Sequence, residues 1–298
     1  MAVTNTAAWI SSVTEANPGY RALFFEEMQR LIPEEWMSLA MEFDSNGAEE
    51  VYEWLNDLPE MQAFTGAMNY SDMRAEGFVL KNTTYTGGIK LARATYDDDK
   101  TGVIKARITS LARAAARHKG KLVLKQFTSA FADVGYDGVA LCSANHPVSG
   151  GVVSNTVAGA LDAATYNTGV AAFQAFTNYG GEPLGFSPTH LMYGPSNRAT
   201  AMGILKADYI SDGTTTISNI NNDGAVLPFY NPFLVGTYAA HWFLLDLSED
   251  LKPVICQTRQ DAELNDIIDS ELLEVRFNAN ARHAVGPGLW QKVYGSSA

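Results

Sequence analysis

From Thr101 to Phe127 the chain carries one uninterrupted helical pattern, and a rod of that length limits what the rest can fold into. Ile104, Ile108, Leu111, Ala115, His118 and Leu122 step by four, three, four, three and four residues, which puts one apolar seam along one side of a helix. At about 1.5 Å per residue the rod is roughly 40 Å long. It is a structural beam along which other elements must pack. Gly120 costs about 1 kcal/mol against Ala, which the length is expected to absorb. Asp97, Asp98 and Asp99 stand just ahead of the rod. Carboxylates at a helix start accept hydrogen bonds from unpaired amides and suit the positive end of the dipole, so they are expected to cap it.

The flanks mix both kinds of element, so the fold class is α+β. Thr4 to Ala16 is small and polar, and Pro18-Gly19 is expected to break it. Leu23, Phe24, Met28, Leu31 and Ile32 predict a helix that Pro33 interrupts, with another turn or two over Glu34 to Phe43. Phe78 to Leu80, Thr83 to Tyr85 and Ile89 to Leu91 read as strands around turns at Lys81-Asn82 and Gly87-Gly88. Beyond the rod, Gly135 to Gly151 is a loop region. Helices are predicted over Ala158 to Phe176 and Pro195 to Ala207. Strands are predicted at His190 to Tyr193, Val226 to Tyr230, Phe233 to Val235, Trp242 to Leu247, Pro253 to Cys256, Leu272 to Phe277, Ala281 to Val285 and Leu289 to Tyr294. There is no internal repeat.

Charge is sharply segregated. Lys100 to Lys125 holds eight basic residues and no acid, a formal +8. Glu26 to Glu60 holds eleven acids against Arg30 alone, a formal −10. One reading is a solvated helix face beside a solvated acidic arm. The other is complementary docking between copies, with Glu34, Glu35, Glu49, Glu50 and Glu53 of one arm laid on the Arg113, Arg117 and Lys121 stripe of the next chain, since segregated charge sets register and speeds encounter. A third option turns that stripe, spaced i, i+4 and i+8, toward DNA phosphates. The chain as a whole, 298 residues at net charge −12, is a poor sequence-independent binder of nucleic acid.

The search for chemistry returns little. Gly120-Lys121 lies inside the rod without a phosphate-loop frame, and Gly286-Pro287-Gly288 is a turn. No two of the five histidines stand at i, i+4, so no metalloprotease helix exists. His118 on the seam reads as a satisfied core or interface histidine. A Cys142–His146 dyad can be imagined, with Asp137 near, but nothing in the sequence orients it. Asn221 to Gly224 suggests a calcium loop, but the downstream bidentate Glu is missing, so a plain turn is expected. Cys142 and Cys256 form no CxxC pair and are expected to be free, buried thiols. No catalytic residue, cofactor or metal ligand is assigned. The start of the chain lacks a signal-peptide pattern, and no run approaches the ~20 apolar residues that span a bilayer, so production in a cytoplasm without membrane insertion is expected.

Short motifs in a fixed order add to this: Trp54-Leu55 with Leu58-Pro59, Glu76-Gly77-Phe78 with Lys81-Asn82, Asp97-Asp98-Asp99 ahead of the rod, Tyr136-Asp137-Gly138 with His146-Pro147, and Gly286-Pro287-Gly288-Leu289-Trp290-Gln291 with Tyr294-Gly295. Together they resemble the Mu-like prophage major head subunit family, and the order of elements resembles the Hong Kong 97-type phage capsid fold. The resemblance implies an N-terminal arm over 1–45, an E-loop over 46–92, a peripheral domain over 93–157 with the rod as spine helix, an axial domain over 158–250, and closing peripheral strands over 251–298. It implies a major capsid protein that self-assembles into hexamers and pentamers of an icosahedral shell around double-stranded DNA, with Trp54, Leu55 and Phe78 as E-loop contacts. The implied partners are further copies of the chain, a scaffold, a portal and decoration proteins, with packaged DNA held non-specifically. The implied location is the virion, assembled in the host cytoplasm. With no long precursor segment at the front, a separate scaffold protein is expected. Two rival readings remain: an encapsulin-like nanocompartment shell, and a soluble cytoplasmic hydrolase using His146.

Overall fold

A computed structural model describes residues 2–30, 35–52, 78–98, 102–148, 151–177, 181–211, 216–269 and 271–297. The chain opens with helix α1 (Ala2–Arg30), followed by a 3-10 turn (Glu35–Leu39) and strand β1 (Ala40–Asp44). The expected break at Pro18-Gly19 does not occur, because Pro18 faces solvent while Trp9, Val13 and Phe24 on either side are buried. The backbone group that loses its partner at a mid-helix proline therefore stays hydrated. Nor does a helix fill 34–43. Residues 40–44 are instead drawn into parallel pairing with the strand over 254–269.

Strands β2 (Glu49–Tyr52) and β3 (Phe78–Lys81) pair antiparallel, and β4 (Thr83–Ala92) follows. Gly87-Gly88 is not a turn but part of β4. A Cβ on Gly88 would lie 2.6 Å from Asn278 Oδ1, so the bare backbone is what admits the neighbouring strand. Helix α2 (Arg93–Asp97) is short, and α3 (Val103–Gln126) is the expected rod. The aspartates do not cap α3. Asp97 and Asp98 close α2, and Gly102, at φ 73°, is the residue before α3, with no side-chain cap. Asp99 lies outside the described residues.

The seam on α3 is rotated from the one read in the sequence. Ile104, Ile108, Ala112, Ala116, Gly120 and Val123 are buried, whereas Leu111, Ala115, His118 and Leu122 are half-buried. Gly120 carries the reason: a Cβ there would stand 2.5 Å from the ring of Trp36, which lies against the bare helix backbone.

Past α3 come β5 (His146–Val148), β6 (Gly151–Val153), β7 (Thr156–Val157), α4 (Ala163–Gln174), β8 (His190–Tyr193), α5 (Arg198–Lys206), β9 (Tyr209–Ser211), β10 (Thr216–Ser218), β11 (Leu227–Tyr230), β12 (Trp242–Leu245), β13 (Val254–Asp269), β14 (Glu274–Pro287) and β15 (Val293–Ser296). Asp162 caps α4 through a reciprocal capping box with Thr165. Residues 233–235 form a turn rather than a strand, with Asn231 Oδ1 accepting from the Phe233 amide.

Two sheets dominate. One has the order β1-β13-β14-β4, the other β11-β8-β12-β15-β7. The division expected from sequence cuts through the second. β7 and β15 fall within the expected peripheral segments 93–157 and 251–298, but they pair in one sheet with β8, β11 and β12 of 158–250. All four residues of β12 are buried, so the strand needs a neighbour on each side, and β8 and β15 supply them.

Each sheet anchors a core. Trp9, Val13 and Phe24 of α1, Ile104, Ile108 and Ala112 of α3, and Val275 and Phe277 of β14 form one. Val123 and Phe127 at the other end of α3, with Phe173, Trp242, Phe243 and Trp290, form the other. Fully burying a side chain such as Ile or Phe stabilises by about 1.5–3 kcal/mol, so both ends of the rod are firmly held.

Gly120→Ala tests the seat of Trp36. Helix propensity alone favours the change by about 1 kcal/mol, whereas overpacking costs about 1–3 kcal/mol. Urea unfolding should therefore show a net loss, and the loss should vanish in a Trp36→Ala background. A gain in the unaltered background would refute the packing argument.

Candidate functional site

The basic stripe lies on the outer face of α3. Arg113, Arg117 and Lys121 are all exposed. Arg113 Nη2 stands 3.8 Å from Glu27 Oε2 of the same chain, and Glu27 also accepts from Arg30 at 2.8 Å. Half-exposed pairs of this kind contribute little. Arg117 and Lys121 have no ion-pair partner among the described residues, so two positive charges stand open on one helix face. The start of the arm meets this helix in cis. α1 packs along its own α3, fixed further by Asn17 and Arg21 to Asp266 of β13.

The acidic candidates divide. Glu49 is exposed on β2. Glu50 is not free: its carboxylate accepts from the Gly47 and Asn46 amides and from Ser45 Oγ at 2.8–3.0 Å. These bonds, led by the Gly47 amide, hold it below the usual carboxylate range. It is a turn-former, a role that the Ser45-Asn46-Gly47 sequence could have signalled. Glu35 opens the 3-10 turn, and Glu34 and Glu53 lie outside the described residues.

Of the E-loop contacts, Trp54 and Leu55 lie outside the described residues. Phe78 packs inward. A Cβ on Gly286 would lie 3.4 Å from its ring and 2.9 Å from Leu80. The outward pair on this ribbon is Val51 and Val79, cross-strand partners that are 52% and 50% exposed. Sequence reasoning missed them, although alternation along β2 and β3 carries the signal.

The imagined Cys142–His146 dyad does not form. His146 is fully buried, its Nδ1 bonded to Asp137 Oδ2 and its Nε2 3.0 Å from Asn155 Oδ1. Its ring stacks on Trp290 at 4.2 Å and 11°. Burial pushes the Cys142 thiol well up, away from the thiolate that a nucleophile needs. This cluster ties loop 135–157 to the C-terminal segment. Asn155 Nδ2 donates to the carbonyls of Leu141, Trp290 and Val293.

A second buried cluster has no counterpart in the sequence reading. Lys292 is fully buried, with Nζ 2.8 Å from Asp246 Oδ2, 2.6 Å from Glu249 Oε2, and 3.4 Å from the centre of the Phe186 ring. Burial works to raise Asp246, but hydrogen bonds from Lys292 and Ser248 outweigh it and hold the carboxyl below its usual range. Lys292 and Asp246 are both buried, and only Glu249 reaches solvent, so the cluster is a fastening between the end of β12 and the turn at Trp290–Lys292.

The family model of the Mu-like prophage major head subunit gpT matches residues 14–162, 154–233 and 221–298. The Mu-like prophage FluMu major head subunit of Haemophilus influenzae is 23% identical over 270 residues, covering 88% of this chain and 66% of that protein. The major capsid protein of Escherichia phage Mu is 23% identical over 268 residues, covering 87% and 65%. The chain thus spans just under two thirds of the length of these curated relatives. Among solved structures, the procapsid of bacteriophage JBD30 matches with a TM-score of 0.56 and 22% identity, over 98% of this chain and 75% of that one. That likeness gives the chain the fold of a phage capsid subunit, the Hong Kong 97-type α+β architecture.

Asp246→Ala would strand the buried Lys292 with Glu249 alone. Removing one partner of a buried pair costs about 3–5 kcal/mol, so urea unfolding should show a loss of that size. A loss below about 1 kcal/mol would mean that Glu249 suffices.

Proposed function

This chain belongs to the Mu-like prophage major head subunit gpT family, and on that footing we propose that it is the major capsid protein of a tailed bacteriophage or prophage. It builds hexamers and pentamers of an icosahedral shell that encloses double-stranded DNA. Its family is one of structural subunits, and its work is assembly.

The observation that carries this reading is apolar surface left without cover. On the β9–β10 hairpin and the turn after it, Tyr209, Ile217 and Ile220 are 68%, 44% and 77% exposed. A single exposed aliphatic side chain is ordinary; several large ones on one projecting hairpin mark an interaction surface. Val51 and Val79 repeat the pattern on the β2–β3 ribbon, at a different place on the molecule. Surfaces at separate places suit a subunit with several neighbours, whose stability is completed only in the assembly.

In this reading the arm is 1–45, the E-loop 46–92, the peripheral domain 93–157 with 251–298, and the axial domain 158–250, with β15 lending its pairing to the axial sheet. The hairpin at 209–218 meets its counterparts around a capsomer, and the ribbon lies against the next subunit. Arg117 and Lys121, with Arg113 beside them, receive acidic side chains of a neighbouring copy, Glu49 and Glu53 among them. Scaffold, portal and decoration proteins complete the set of partners. The shell forms in the host cytoplasm, and the finished protein resides in the virion.

Arg113→Glu combined with Arg117→Glu is expected to abolish particles in negative-stain micrographs while circular dichroism shows a folded chain. Normal particles filled with DNA would refute a role for the stripe. Normal shells with little nucleic acid would reassign it to the packaged DNA.

A further inference from the structure

Three elements meet at a pair of imidazoles. His118 of α3 and His283 of β14 face each other, Nδ1 to Nε2 at 3.0 Å. Tyr85 of β4 covers both, its ring centre 4.5 Å from that of His118 and 4.7 Å from that of His283. The hydrogen bond works with one nitrogen donating and the other accepting, so at least one ring nitrogen must be unprotonated. Two protonated rings would set N–H against N–H at that distance.

The surroundings make a second proton unwelcome. His283 is buried, and among the described residues its Nδ1 has no hydrogen-bond partner, nor has the Nε of its neighbour Arg282. On α3 the nearby charges are Lys119, Lys121 and Lys125, all positive. On β13 the facing acid is Asp261, already held by Lys119 Nζ at 2.7 Å. Glu42 of β1 lines the same cavity of about 230 Å³ as His283, Lys119, Asp261 and Trp36. Another cavity of similar size, lined by Tyr85, Leu111, His118 and Ala279, adjoins it and shares Ala115, Ala262 and Ala281 with it. Water can therefore enter once the rings part.

We propose that His118 and His283 form a proton-operated latch that fastens α3 to β4 and β14 and releases in mild acid. The first proton rides on the shared hydrogen bond, on the more accessible His118. The second breaks that bond and drives the rings apart into the two cavities. What loosens is the joint between the rod, the long hairpin and the strand leading from the β2–β3 ribbon.

Burial, aided by His118 and Lys119, brings His283 down to about 4 against the opposing pull of Asp261. Burial, Lys121 and Lys125 lower His118 as well. Both folded-state values lie below the unfolded histidine value of about 6.5. The stabilisation is therefore fully present above that value and is lost as pH falls toward about 4.

The test is amide hydrogen exchange of the full-length chain near pH 7.5 and near pH 4.5, corrected for intrinsic rates. Exchange in 83–92, 103–126 and 274–287 is expected to rise by about tenfold or more at the lower pH. The rise should fall to within about threefold in His118→Gln/His283→Gln and stay intact in His241→Gln, whose own burial-depressed histidine serves as control. A full rise in the double variant overturns the latch. Should that variant fail to fold, His118→Gln alone decides, because it removes one of the two protonating rings at a half-buried position. An undiminished rise there is equally fatal.

Discussion

Everything in this molecule is hung on α3 serving two cores at once. Its first turns contribute Ile104, Ile108 and Ala112 to the cluster under α1 and the β1-β13-β14-β4 sheet. Its last turns contribute Val123 and, just beyond, Phe127 to the cluster around β12. A helix has no slack along its axis, so the separation of the two cores is set by the rise between residues 108 and 123. The hairpin β13–β14 makes the same journey beside it, from the Val254–Pro287 pair to the Asp269–Glu274 pair. Rod and hairpin together make a stiff frame, and the smaller ribbons project from it.

The rod was legible in the sequence to within two residues at its start and one at its end, because a step of three and four over more than five turns has no other interpretation. Its face was not. Leu111 and Leu122 outweigh Ala112, Ala116 and Gly120 in any count of hydrophobicity, yet the small residues are the buried ones. They are buried because something large comes close: Trp36 rests where a side chain at position 120 would be. Periodicity reports which residues prefer to be dry. It does not report where a neighbour needs room, and that depends on a tryptophan more than eighty positions away. Pro18 misled in the complementary way, since a proline stops a helix only when the lost hydrogen bond and the ring have nowhere harmless to point.

Polar clusters were harder still. His146 was noticed beside Cys142, but its partners are Asp137, Asn155 and the ring of Trp290. Lys292, Asp246 and Phe186 meet across stretches of forty residues and more. Such groups must be satisfied once buried, and the satisfaction comes from whichever strands the topology brings alongside. The topology is long-range, with Gly295 of β15 pairing with Thr156 of β7, the strand that begins the same sheet. The charge segregation was fully readable, but not its direction. Helix α1, with Glu27 at its end, lies along its own rod, and Glu50 is spent on holding a bend, whereas Glu49 stays exposed.

The edges of the sheets bear on how copies of this chain can associate. In the first sheet the edges are β1 and β4. β1 is five residues long and turns Glu42 and Asp44 to solvent. β4 is longer, but Gly87-Gly88 leaves its middle without side chains and Lys90 is bound to Glu274 at 2.7 Å. Short, charged or glycine-broken edges are poor templates for adding another strand. Several uncovered apolar side chains sit off this sheet, with Tyr209 and Ile217 on the β9–β10 hairpin, Val51 and Val79 on the outer face of the β2–β3 ribbon, and Leu227 and Tyr230 on β11 at an edge of the second sheet. At the first sheet, open-ended strand addition between copies is thereby disfavoured, and the proposed assembly would use side-chain docking at the ribbons instead. Docking of that kind has a fixed geometry, and it can close on itself.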